Sequence, residues 1–321
     1  MTSKRLAVIG TGYVGAITST CFAWLGHRVV GLETDPDRLR RLAQGEVPFY
    51  EPGLADLLQE TLQTGRLSFT DDAATALDGA EAIFLCVGTP VGPSGSPDLT
   101  QVESAAATVA PFLRDGVIVV NKSTVPVGSG NWVSTLIEEE LPQGHRPAFS
   151  VVSNPEFLRE GSALLDFLHP DRVVLGGPSG AVGVVADLYR PVLDQSFPGG
   201  SPGDLPRLIE AELASAEMIK YAANAFLATK ISFANEVANL CELVGADVRQ
   251  VLPAIGADHR IGEAFLGAGA GWGGSCFGKD LSALIATGKV YGYGSTLLRS
   301  AVEINELQRA GVMRKLQRQL R

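Results

Sequence analysis

Leu6-Ala7-Val8-Ile9 is an unbroken apolar run, the pattern of a strand covered on both faces. Residues 13–25 then carry helical periodicity, which Gly26 closes. The next strand spans 28–32, and Asp35-Pro36, an N-cap and first-turn pair, opens a helix through Gln44. Strand-like runs recur at 82–87, 117–121, 149–153 and 172–175, with helical stretches between several of them. Such alternation predicts an α/β domain built on a doubly wound parallel sheet. Residues 196–204 are dense in Gly, Pro and Ser and mark a boundary, giving one domain at 1–203 and a second at 204–321. Past the boundary, 208–244 contains few breakers and reads as one long helix or two in series, so the second domain is expected to be all-α.

Composition narrows the function classes. The chain has 321 residues, 45% hydrophobic, and a formal net charge of −9, which argues against nucleic acid or an anionic membrane as partner. No apolar run approaches the ~20 residues needed to span a bilayer. The run at 6–9 is too short for a signal peptide, so a cytoplasmic location is expected. Cys21, Cys86, Cys241 and Cys276 show no CxxC pair, so neither a disulfide framework nor a metal site is expected. The 37 glycines exceed the usual share of about 7%, and many of them fall between 262 and 278.

Gly10-Thr11-Gly12-Tyr13-Val14-Gly15 follows the first strand and opens the first helix. In that context it is the fingerprint of a Rossmann-like dinucleotide site. Gly10 permits the tight turn, Gly12 lets a pyrophosphate approach the backbone, and Gly15 lets helix and strand pack closely. Glu33, about 20 residues on at the end of the second strand, is placed to accept bonds from ribose hydroxyls and to repel a 2′-phosphate. NAD is therefore favoured over NADP, although Arg38 nearby is of a type that tolerates the extra phosphate. Val87-Gly88-Thr89-Pro90 and Lys122-Ser123-Thr124-Val125-Pro126 end two further strands, on the sheet edge where such folds hold their ligands.

In the second half, Lys220 and Asn224 stand four residues apart on one helix face amid Tyr221, Ala222, Ala223, Ala225 and Phe226. A lysine in apolar surroundings needs a partner or a task. The segment 265–280 mixes six glycines with Phe265, Leu266 and Trp272, a composition that fits a loop wrapped around a ligand better than a linker. Leu281 to Ala286 is helical, which puts Cys276 just before or at a helix N-terminus, a position that favours a thiolate. Asp280 lies four residues beyond it. Cys21, Cys86 and Cys241 fall in helices and a strand and read as small core hydrophobes.

These segments together resemble the UDP-glucose/GDP-mannose dehydrogenase family, nucleotide-sugar dehydrogenases that oxidise a sugar C6 alcohol to a carboxylate. The matching stretches are GTGYVG at Gly10, VGTP at Val87, KSTVPVG at Lys122, NPEFLREG at Asn154, the Lys220/Asn224 helix, DHRIG at Asp258 and GGSCFGKD at Gly273. The resemblance implies a four-electron oxidation with NAD, UDP-glucose to UDP-glucuronate in the favoured case. GDP-mannose, TDP-glucose and UDP-N-acetylhexosamines are the alternatives. It implies that Cys276 attacks the aldehyde, that Lys220 and Asn224 stabilise charge on the C6 oxygen, and that Asp280 and Thr124 handle the first proton transfer through water. Glu156 would activate or orient the hydrolytic water, and Phe157 and Leu158 would join it in binding substrate. Gly88, Thr89, Glu160 and Lys279 would meet the cofactor. Phe265, Leu266, Gly269 and Gly273 would wrap the substrate, and Arg260 would reach the substrate of the partner in a homodimer formed through the central helical domain.

Two positions depart from the family pattern. Gly278 replaces a usual proline, which predicts a looser helix start after Cys276, and Gly267 replaces a polar side chain. Family members continue into a third, nucleotide-binding domain. The basic stretch Arg314, Lys315, Arg318 and Arg321 stands where a connection to it would begin, so the chain reads as a piece that keeps NAD binding and loses most substrate affinity. Outside this family, a two-electron dehydrogenase of the 6-phosphogluconate or 3-hydroxyacyl type, or a non-catalytic NAD-binding regulator, would have no use for Cys276.

Overall fold

The structure is a computed structural model that describes residues 3–90, 92 and 97–320. Eight strands form one sheet: β1 (Arg5–Ile9), β2 (Arg28–Leu32), β3 (Leu67–Thr70), β4 (Ala82–Leu85), β5 (Ile118–Asn121), β6 (Ser150–Ser153), β7 (Arg172–Gly176) and β8 (Arg207–Ala211). Their order is β3-β2-β1-β4-β5-β6-β7-β8. The first six run parallel in the order of a dinucleotide-binding fold. The expectation of a wholly parallel sheet needs one amendment. β7 meets β6 antiparallel, through Ser153 and Gly176, and β8 then runs parallel to β7.

Alternation along the central strands divides the core in two. Leu6 and Val8 face the helix Tyr13–Trp24, which contributes Ile17, Cys21 and Phe22. Ala7 and Ile9 face the other way, toward the helices Thr100–Val109 and Ser129–Glu139. Phe22 stands at the centre of the first core, its ring 5.0 Å from Phe84, 5.3 Å from Phe167 and 4.9 Å from Tyr189. Asp35 caps the helix Pro36–Ala43 by accepting from the N–H groups of Asp37 and Arg38, with Pro36 in the first turn as expected. Such a cap is worth about 1 kcal/mol.

Two compact units divide within the long helix Leu213–Val244, after Lys220 and not at 203. The reason is β8: residues 207–211, expected at the start of a helix, pair with β7 and extend the sheet past the turn-rich segment. In the second unit, the later part of that helix packs with the helices Val248–Gly256, Gly274–Val290 and Thr296–Gln319. Its two small cores are Ala225, Ala228, Trp272 and Leu281, and Ala234, Leu252 and Leu266. The last helix carries Arg314, Lys315 and Arg318 as expected, while Arg321 lies outside the described residues. No helix among the described residues is long and apolar enough to cross a membrane.

Candidate active site

β1 delivers the chain into a turn whose glycines have separate physical reasons. Gly10 has φ +83°, a left-handed conformation, and a Cβ there would sit 3.1 Å from the Cys86 carbonyl oxygen. A Cβ on Gly15 would lie 1.9 Å from the Gly10 carbonyl oxygen, so the helix can approach the turn only without a side chain. At Gly12 nothing lies within 4 Å, so the chain's own packing does not demand glycine there, whereas a pyrophosphate approaching the helix N-terminus would. Val14 packs against the first core.

Glu33 closes the other end of this cradle. It is buried at the end of β2 and accepts from Thr11 N–H (3.2 Å) and hydroxyl (2.7 Å), from Asp35 N–H (2.9 Å), and from the Arg38 guanidinium (3.1 Å). Burial alone would raise its pKa. The bonds from Asp35, Thr11 and Arg38 outweigh that and hold the carboxyl below its usual value, so it is ionised. Arg38 is thereby engaged by Glu33, which answers the concern that it could welcome a 2′-phosphate. The open space at Gly12, the tight packing at Gly15 and the anionic Glu33 fit a dinucleotide with an unphosphorylated ribose.

The loops at the ends of β4 and β5 are stitched together. Thr89 donates to the Thr124 carbonyl at 2.8 Å, Ser123 donates to the Val87 carbonyl at 2.8 Å, and Gly88 N–H donates to Gln101 at 3.0 Å. Lys122, in the same loop, points inward. Its Nζ is buried 3.1 Å from Asn154 Oδ1 and 3.2 Å from the Tyr189 hydroxyl, beneath the rings of Phe167 and Tyr189. Burial lowers its pKa. Its sequence context gave no sign of this.

After β6 the chain turns through Asn154-Pro155-Glu156. Lys220 Nζ lies 3.0 Å from Glu156 Oε1, with side chains 5% and 7% exposed, so the expected buried lysine has a buried partner. Glu156 Oε2 accepts the Leu158 N–H at 2.7 Å, fixing the carboxylate. Phe157 is held by cations, with Arg172 4.1 Å and Lys220 5.4 Å from its ring centre. The turn continues through Arg159, which pairs with Asp166, and the exposed Glu160.

In the second unit, Asn224 donates to Asp280 Oδ2 at 2.6 Å, and Lys279 lies 3.4 Å from the other oxygen of the same carboxylate. Cys276 sits on the same helix, four residues before Asp280. That helix begins at Gly274, earlier than the stretch from Leu281 expected from the glycine content, and it runs through Gly278 without a break. Cys276 is therefore inside the first turn, and Gly278 does not delay the helix start. Packing of Leu281 and Ala283 into the interior offsets the entropic cost of Gly274 and Gly278 at the start of the helix. Cys21, Cys86 and Cys241 are buried, and burial pushes the Cys86 thiol up to about 12. Cys276 is only part-buried.

The glycine-rich loop before Cys276 is gripped by side-chain amides. Asn305 accepts the Trp272 N–H at 2.7 Å and donates to its carbonyl at 3.0 Å. Asn235 accepts the Gly269 N–H, and Gln308 donates to the Gly269 carbonyl. A Cβ at Gly267, Gly269 or Gly273 would meet nothing within 4 Å. Leu266, expected at the substrate, has its side chain in the core with Ala234 and Leu252, so only its backbone remains for that role. Phe265 stays exposed at positive φ. Arg260 is 77% exposed and folded back onto Asp258 at 2.6 Å.

Comparison with known proteins identifies the family. Residues 4–193 match the NAD binding domain of the UDP-glucose/GDP-mannose dehydrogenase family, and residues 214–307 match its central domain. The chain belongs to the UDP-glucose/GDP-mannose dehydrogenase family. It is 47% identical over 314 residues to a UDP-glucose 6-dehydrogenase of Bacillus subtilis, covering 98% of this chain and 65% of that protein. It thus spans about two thirds of the length of that curated relative. Among solved structures, a UDP-glucose dehydrogenase from Pyrobaculum islandicum matches with a TM-score of 0.88 at 43% identity, covering 95% of this chain and 68% of the other. A GDP-mannose dehydrogenase from Pseudomonas aeruginosa matches with a TM-score of 0.73 at 34% identity, over 95% of this chain and 69% of that one. Within the family, both the fold and the NAD-binding assignment of the first domain follow.

Proposed function

We propose that this chain carries the machinery of an NAD-dependent four-electron oxidation that converts a nucleotide-sugar C6 alcohol to the carboxylate, with UDP-glucose as substrate and UDP-glucuronate as product. The observation that carries the reading is Cys276, part-buried in the first turn of its helix with the Asn224-bonded Asp280 one turn on, while the other three cysteines are buried. Similarity to UDP-glucose 6-dehydrogenases supports UDP-glucose over GDP-mannose.

The glycine turn Gly10–Gly15 and Glu33 would hold NAD⁺, and two NAD⁺ bound in turn would supply one hydride acceptor for each of the two oxidations. Lys220 and Asn224 supply positive charge and an N–H donor to the C6 oxygen as it gains negative charge, a contribution whose loss costs about 10²–10³ in rate. Asp280 takes the first proton, with Thr124 orienting the water that relays it. The Cys276 thiolate then adds to the C6 aldehyde, forming a C–S bond and a thiohemiacetal whose oxidation leaves a thioester. Glu156, held by Leu158 N–H, orients the water that cleaves the thioester and frees the thiol. Tyr13, Gly88, Thr89, Glu160 and Lys279 serve the cofactor. Phe157, Leu158, Phe265, the Leu266 backbone, Gly269 and Gly273 serve the sugar and phosphates.

The same reading includes a homodimer in the cytoplasm. The helix Leu213–Val244 exposes Phe226, Phe233 and Leu240 at seven-residue spacing, a stripe suited to a second copy across which Arg260 could reach. The test is NADH formed per UDP-glucose consumed. Two are expected, and Cys276→Ser should stop at one with the aldehyde trappable by a hydrazine. One NADH per sugar in the parent chain would overturn the four-electron reading.

A further inference from the structure

Glu51 is a buried carboxylate that the chemistry above does not use. It lies in the crossover between β2 and β3, just before the helix Leu54–Gln63. Its donors are a phenol and two backbone amides. The Tyr13 hydroxyl donates to Oε2 at 2.5 Å, Gly161 N–H to the same oxygen at 3.0 Å, and Leu164 N–H to Oε1 at 3.2 Å. Tyr13 opens the helix of the glycine motif, whereas Gly161 and Leu164 follow Glu160 more than a hundred residues later in the chain.

The contact is reinforced around the carboxylate. Gly161 N–H also faces the Tyr13 hydroxyl at 3.3 Å, and Tyr13 in turn reaches the Arg159 carbonyl at 3.4 Å. Two residues past Glu51, a Cβ on Gly53 would lie 3.2 Å from Leu164, so the crossover packs directly on the same turn. Burial, and then the bond to Glu51, raise the Tyr13 pKa, which keeps the phenol protonated as a donor. On its far side the turn is braced by Asp166, which binds Arg159 through its backbone N–H at 2.8 Å and its guanidinium. Its near side depends on Glu51.

We propose that Glu51 is a positioning residue that clamps the Arg159–Leu164 turn to the start of the dinucleotide-binding helix, and so sets where Glu160 meets the nicotinamide end of the cofactor. The proposal rests on the reading of Glu160 as a nicotinamide contact. Adenosine and pyrophosphate are bound by the glycine turn and Glu33, which do not need the clamp. Loss of the clamp therefore weakens only ligands that carry nicotinamide.

The experiment measures dissociation constants of NADH and of ADP-ribose, which lacks nicotinamide, for the parent chain and for Glu51→Gln. Glutamine keeps one oxygen for Tyr13 and Gly161 and turns an NH₂ toward Leu164 N–H, donor against donor. NADH binding is expected to weaken about tenfold, the cost of one buried bond made repulsive, with ADP-ribose unchanged within about twofold. Tyr13→Phe removes a single bond of the clamp and is expected to shift the NADH-to-ADP-ribose ratio in the same direction by about threefold. It also serves if Glu51→Gln does not fold. A general loss of stability cannot move that ratio. Equal weakening of both ligands, or no change in either, would overturn the proposal. Glu160→Gln separates the two layers of the argument. If it leaves the ratio at the parent value, the reading of Glu160 fails and the clamp's role fails with it. If it shifts the ratio and Glu51→Gln does not, the clamp alone is wrong.

Discussion

The pair Lys220–Glu156 gives the sharpest quantitative expectation. The charges are 3.0 Å apart with side chains 5% and 7% exposed, so water screens them little. In Lys220→Met the carboxylate keeps the Leu158 N–H at 2.7 Å but loses its cation, and Phe157 loses a charge 5.4 Å from its ring. An exposed ion pair would be worth less than about 1 kcal/mol. Breaking a buried one leaves an uncompensated charge and costs about 3–5 kcal/mol, a large part of the 5–15 kcal/mol by which domains are stable. Glu156→Gln, which strands the lysine instead, should cost a similar amount. The double variant removes both charges and should recover most of the loss, giving a coupling of about 2 kcal/mol or more. Urea unfolding of all four proteins at neutral pH supplies the cycle, and repeating it in about 0.5 M salt should change the coupling little. A single-variant cost below about 1 kcal/mol, or additive singles, would refute the buried-pair account.

Two further expectations follow from the glycines and from His27. Gly15→Ala would drive a Cβ to 1.9 Å from the Gly10 carbonyl oxygen and should abolish NADH binding, whereas Gly269→Ala meets nothing within 4 Å and should leave the melting temperature unlowered. If Gly269 nonetheless faces the sugar, its alanine variant should lose at least about tenfold in sugar turnover, and wild-type turnover would remove Gly269 from the substrate site. His27 is buried, its Nδ1 accepting Lys4 N–H and its Nε2 facing the Leu188 carbonyl, and burial lowers its pKa below the ordinary 6.5. The unfolded chain then binds a proton that the fold refuses. Stability is full above the ordinary value and falls below it, at up to about 1.4 kcal/mol per pH unit. Denaturant midpoints should show that slope in the parent and lose it in His27→Gln, and equal slopes in both would refute the assignment.

What the sequence revealed depended on where a strand sits in the sheet. β1, β4 and β5 are central, covered on both faces, and show as unbroken apolar runs such as Ala82-Ile83-Phe84-Leu85. β3 and β8 are the two edges. Leu67-Ser68-Phe69-Thr70 is too short and mixed to stand out, and Arg207-Leu208-Ile209-Glu210-Ala211 uses residues that a helix would also accept. An edge strand needs apolar cover on less of its surface, so it leaves a weaker signal, and that moved the expected domain boundary from Lys220 back to 203.

The site divides in the same way. Glu33 was legible because Asp35 and Arg38 lie near it in the chain and Thr11 belongs to the glycine motif that already pointed to it. Cys276 stood out by its glycine-rich setting. The partners of Lys220 and Asn224 are a different matter, since Glu156 is 64 residues from Lys220 and Asp280 is 56 from Asn224. No local pattern links residues at such separations; only the sheet edge and the helix packing bring them together. Glu51 is the extreme case, a carboxylate in a turn-like Tyr-Glu-Pro-Gly context whose partners Gly161 and Leu164 lie 110 and 113 residues on. Family motifs identify groups that meet the substrate. A group that holds two motifs in register becomes visible only when the donors around one buried carboxylate are traced to the segments they come from.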